Sequence, residues 1–272
     1  MASLTTDTSL TQQATALAKE FGLQLMTPAS VTVEELEQLL NDQLEKVKAL
    51  RESNQSTGET KEEEVVDLCP EGALRVKPGL NSFSKAVKKA KEQGIGNLLL
   101  KSGMHDEKGE YVDIDFALNV VGQSKDDVQI RAELFITGKK EEDVFFSDCT
   151  VTGAKDSGVY GYGAAMHFRN VCVEKCGGHG VFVSSNTRNT MTDCNVNNNK
   201  WSGVCVQGGR MVIDGSATTI RDNVTGGSGG SYGLKAAYSS DSIHLKSLTK
   251  ELISTNNGGG GNYNDDGTIK TI

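Results

Sequence analysis

Asp148-Cys149-Thr150-Val151, followed by Gly158-Val159-Tyr160, is a phrase that the chain repeats. It returns as Asn170-Val171-Cys172-Val173 with Gly180-Val181-Phe182, and again as Asp193-Cys194-Asn195-Val196 with Gly203-Val204-Cys205. The step from Gly158 to Gly180 to Gly203 is about 22 residues. A fixed step of that size, built from short β-runs between Gly and Asn turns, means coils stacked one upon the next.

Superposing the three phrases assigns side chains to columns. Phe146, Phe168 and Met191 form one inward column, Cys149, Val171 and Cys194 a second, and Val151, Val173 and Val196 a third. On another wall Val159, Val181 and Val204 stack beside Gly161, Val183 and Val206, and Leu234 and Ala236 continue both columns. Parallel strands lie about 4.8 Å apart, so equivalent residues sit above one another and bury a continuous apolar ladder. Asn199, Asn223 and Asn256 fall at one corner, where asparagine accepts turn geometry and bonds to its neighbours.

Outside the repeat, Phe83, Ala86, Val87 and Ala90 mark a helix over 82–93 that Gly94 ends, and Leu98-Leu99-Leu100 follows as a buried strand. Alternating pairs come next, Val112/Ile114, Leu118/Val120, Val128/Ile130 and Leu134/Ile136. Two amphipathic patterns place helices within residues 1–51, and the polar, acidic stretch 52–64 reads as a linker. Residues 65–272 then form the solenoid, with the 82–93 helix plugging its N-terminal side because an open coil exposes edges and core.

The composition limits the partners. The chain has 272 residues, a net charge of −8 and 31 glycines, with an apolar share of 36% in which glycine is not counted. The negative charge gives no basic field to recruit nucleic acid or an anionic membrane. The six cysteines follow an N-terminus without a secretory pattern, so a cytoplasmic protein with reduced thiols is expected. Cys149 and Cys194 should fill inward columns and Cys172 and Cys205 should point outward.

The columns, the Phe83–Gly122 opening and the coils at 144–206 resemble the right-handed parallel β-helix of the pectin-lyase-like superfamily. The resemblance implies an all-β, single-stranded right-handed solenoid of seven to nine coils with a small α-helical N-terminal extension. It does not imply one activity, because that superfamily holds lyases, hydrolases, epimerases and non-catalytic interaction domains. Gly178-His179-Gly180 resembles an element of polygalacturonase-type hydrolases, but the aspartates and the Arg-x-Lys of that pattern are missing here. His179 therefore reads as a turn residue. Lys175, His179, Arg188, Lys200, Arg210 and Tyr160 have the chemistry a lyase needs, but nothing in their spacing makes them converge.

No catalytic residue, metal or cofactor is assigned. Asp148, Asn170 and Asp193 share a turn position and read as strand-end caps rather than calcium ligands. The binding candidates are Tyr160, Tyr162, Phe182, Trp201, His179 and Lys200, with Tyr160 and Phe182 outward on adjacent coils. Exposed aromatics in a row on a flat sheet stack on sugar rings or anchor a protein, unless the N-terminal helices cover them. The expected function is a non-catalytic scaffold that binds a protein or polysaccharide through this face and self-associates through its helical extension. A carbohydrate-active enzyme is the alternative.

Overall fold

In the computed structural model the described residues are 72–237, 241–264 and 269–272. The expected extension and linker lie outside them. Residues Leu68–Ile272 make one compact unit, a parallel solenoid with three walls.

The first wall stacks nine strands, with Leu74, Leu98, Val120, Phe146, Phe168, Met191, Ile213, Leu245 and Thr271 in register. The chain therefore makes about eight turns. On the second wall Ile130, Val151, Val173, Val196, Ile220 and Ser254 are in register. On the third, Val112, Leu134, Val159, Val181, Val204 and Leu234 follow one another. Every predicted inward column is buried. Where Gly161 interrupts the third wall, the Met166 side chain occupies the space a Cβ would need.

The walls meet at corners set by local chemistry. Asp148, Asn170 and Asp193 turn the chain from the first wall to the second, all with φ between 51° and 54°. Asn170 Nδ2 donates to Asp148 Oδ1 at 2.7 Å, a side-chain bond between coils, and the Ala217 N–H donates to Asp193 Oδ1 at 3.1 Å, a backbone cap of the kind expected. Between the second and third walls, Asn199 Nδ2 donates to Asn223 Oδ1 at 2.9 Å and Asn223 Nδ2 to Asn257 Oδ1 at 3.0 Å.

The third member of that ladder is Asn257, not the expected Asn256. A short helix, Lys250–Ile253, precedes the last second-wall strand, so Ser254 takes the register of Ile220 and the ladder position moves by one residue. Asn256 instead has φ 55° and donates to the Asp222 carboxylate.

Helix α1, Ser82–Gln93, covers the N-terminal side as expected, burying Phe83, Ala86, Val87 and Ala90. Asn81, at its N-cap, makes no side-chain cap bond. Glu107 does that work from the coil below, accepting from the backbone N–H of Phe83 at 2.9 Å and of Ser84 at 3.2 Å. His105 is fully buried beside it, accepting from Ser82 Oγ at 2.9 Å and donating to the Lys101 carbonyl at 3.0 Å. Phe83 meets Phe146 edge-on at 6.2 Å, which ties the plug to the core column.

Candidate functional site

Alternation on the third wall sends one residue of each coil outward, and three consecutive coils place an aromatic there. Phe135, Tyr160 and Phe182 are in direct register, with ring centroids 5.1 Å and then 4.9 Å apart. Tyr111 extends the row below Phe135, edge-on at 6.0 Å. Above, His179 stacks on Phe182 at 5.4 Å and meets Trp201 edge-on at 5.2 Å. The result is a continuous strip, Tyr111–Phe135–Tyr160–Phe182–His179–Trp201. These separations lie in the range where aromatic pairs attract. Its two ends are open to solvent, Tyr111 at 65% and Trp201 at 41% exposure.

His179 is the hinge of this strip. It lies in the turn before the strand Val181–Val183, as its sequence context predicts, and from that turn its ring bridges two coils. Burial, helped by the nearby Lys235 charge, lowers its pKa to about 4, while a hydrogen bond with the Ser202 backbone opposes the shift. The imidazole is therefore neutral at physiological pH. Its Nδ1 is buried with no hydrogen-bond partner among the described residues.

Of the six residues picked from sequence, the strip gathers Tyr160, Phe182, Trp201 and His179. Tyr162 is 59% exposed beyond the end of the strand Val159–Gly161 and makes no ring contact among the described residues. Lys200 stands apart, in an open groove of about 580 Å³ at the corner between the second and third walls, with Lys155, Lys175, Cys176 and Gly226. Arg188 and Arg210 are bonded to Asp143 and Asp241 at the edge of the first wall. The cations a lyase needs do not converge on the strip.

Cys205 corrects an expectation. It holds the outward register between Phe182 and Lys235, yet it is only 3% exposed, and burial pushes its thiol up to about 11. It extends the apolar floor of the row and is shielded from oxidants. Cys172 is outward and half-buried, its pKa raised by burial and by Glu174.

Tyr111 and Phe135 were missed. The repeat seen in the sequence begins at Asp148, and the coil before it is shorter: Val128–Ile136 runs as one strand from the second wall to the third. The signal that finds them is the alternation itself, since Leu134 and Ile136 face inward and Phe135 must face out.

Residues 119–249 match the family model described as the right handed beta helix region. The protein is a right-handed parallel β-helix repeat protein. No curated protein and no solved structure matches the chain. The β-helix continues on both sides of the matched segment, from the strand Leu74–Val76 to the strand Ile269–Thr271. Among the described residues no helix is long and apolar enough to cross a membrane.

Proposed function

We propose that this β-helix is a non-catalytic scaffold that binds an extended glycan along the Tyr111–Trp201 strip. The observation that carries the reading is the continuity of the rings, one per coil from Phe135 to Phe182. Sugar rings present apolar C–H faces at regular intervals, and a rigid row of aromatics matches such a ligand without an ordering cost in the protein. The strip runs along the coils and no enclosed cavity adjoins it among the described residues, which suits a long ligand better than a small molecule that must be enclosed.

A carbohydrate-active enzyme is the second reading. It is favoured by Glu133, which is in register with Tyr111 and whose carboxyl is pushed up to about 7 by burial and by Asp156. A carboxyl that holds its proton near neutrality is what a general acid requires. We also propose that residues 1–64 serve self-association, so that removing them is expected to lower the mass in solution while the β-helix stays folded.

The test is incubation of the full chain with a panel of neutral and charged polysaccharides, following both retention and new reducing ends. Retention without products supports the scaffold. Products transfer the assignment to the enzyme reading. Neither result overturns the glycan and leaves a protein as the partner of the strip.

A further inference from the structure

The short coil creates a feature that its neighbours lack. Leu134 follows Ile130 by four residues, whereas in the next coil Val159 follows Val151 by eight. The longer loops on either side bulge outward and meet above the short one. The Lys155 N–H donates to the Gly109 carbonyl at 2.9 Å, and the Lys155 ammonium pairs with Glu110. Glu133 lies half-buried in the coil this arch crosses, two residues before Phe135 on the same outward face. Asp156 is exposed on the arch, and its carboxylate lies so close to Gly178 that it fills the space a Cβ there would take.

Among the described residues neither the Glu133 nor the Asp156 carboxylate has a hydrogen-bond or ion-pair partner, and the Asp156 charge acts on Glu133. Burial first, and the Asp156 charge second, disfavour ionisation of Glu133. Two cations adjoin these acids in the chain and both are engaged elsewhere, Lys155 by Glu110 and Arg131 by Asp106. Lys235 continues the outward row beyond Phe182 and Cys205, where it donates to the Gly230 carbonyl at 2.6 Å. The strip is therefore electrically polar, acidic beside Tyr111 and Phe135 and basic beyond Phe182.

We infer that the acidic end receives an organic cation, the ammonium group of an amino sugar, held between the Tyr111, Phe135 and Tyr160 rings and the Glu133 and Asp156 carboxylates. Ring faces carry negative potential and attract a cation most when it is partly desolvated. A cation between two mutually repelling carboxylates relieves that repulsion and favours their charged forms. This inference rests on the glycan reading of the strip and gives the ligand its charge and its direction along the coils.

The experiment is titration calorimetry of the full chain at pH 8 and low salt with three probes. These are an oligomer of N-acetylglucosamine, the same-length oligomer of N,N,N-trimethylglucosamine, and spermidine. The trimethylated oligomer is expected to bind at least tenfold more tightly than the acetylated one. The double variant Glu133→Gln, Asp156→Asn is expected to erase that difference while leaving the acetylated oligomer's affinity unchanged. Equal affinity for the two oligomers in the unmodified chain overturns the cation site and leaves the glycan strip standing. Binding of neither oligomer overturns both. Spermidine binding as tightly as the trimethylated oligomer supports the ammonium site and overturns the sugar frame around it.

Discussion

The outward rows of the first and third walls are built on the same inward ladder and differ in what they leave unfinished. On the first wall the row Phe145–His167–Thr190 closes on itself. His167 donates from Nε2 to Asp143 at 2.9 Å and accepts at Nδ1 from Thr190 Oγ1 at 2.9 Å, and Phe145 stacks on its ring at 4.6 Å. Arg188 adds a bond to Asp143 at 2.6 Å and another to the Lys140 carbonyl at 2.7 Å. The bond from His167 and the Arg188 charge hold the Asp143 carboxyl below its usual range. On the third wall the rings have one another for partners, and the carboxylates beside them have none. A polar network whose groups are mutually satisfied stabilises neighbouring coils, whereas an exposed apolar row flanked by unpaired charge offers its surface to something else.

The strongest break of this contrast is the double substitution Tyr160→Ser, Phe182→Ser. It should cost about 2–3 kcal/mol of glycan binding, on the order of fiftyfold in affinity, at the usual worth of a ring contact. Circular dichroism should show an unchanged β-helix, and lost strand signal would mean the rings serve the fold instead. The mirror experiment is His167→Ala on the first wall. It should lower stability by about 1–2 kcal/mol in urea denaturation, because Asp143 and Thr190 lose their shared partner. Glycan affinity should not move, and a loss there would place the ligand on the wrong wall.

A smaller effect concerns Glu133. Its carboxyl ionises near 7 in the folded chain against 4.5 for an unperturbed group, so the fold disfavours its charge. The penalty is absent below about pH 4.5, grows as the pH rises and is complete above 7. Glu133→Gln should therefore raise stability at pH 8 by on the order of 1 kcal/mol after allowance for solvent screening, with no gain at pH 4. A gain independent of pH would mean that packing, not charge, is responsible. The smallest effect is expected of Lys200→Gln, which should change glycan affinity by less than about twofold because a rim charge in water contributes little. A larger loss would extend the binding surface into the corner groove.

Much of the fold could be read from the chain because a solenoid writes its packing into one short period. Cys149, Val171 and Cys194 align by counting, and so do Val159, Val181 and Val204. Counting fails where a coil changes length. The four-residue passage from Ile130 to Leu134 hid Phe135 and Tyr111, and the helix Lys250–Ile253 moved the corner from Asn256 to Asn257. Direction was legible for Cys205 but its accessibility was not, since that depends on side chains from neighbouring coils. The role of His179 was half legible. Its turn position follows from the repeat, while its contact with Trp201 depends on two loops lying side by side.

The asparagine corner carries one more consequence. Asn223-Val224-Thr225 has the form of an acceptor for N-linked sugar. The nitrogen that would carry the sugar is Asn223 Nδ2, which donates to the carbonyls of Val196 at 2.9 Å and Arg221 at 3.0 Å and to Asn257 Oδ1, and the residue is 2% exposed. A glycan attached there removes one of those hydrogens and forces bulk into a closed corner. Modification at Asn223 and completion of the coil are mutually exclusive, so the folded chain is protected from glycosyltransferases at this site by its own hydrogen bonds.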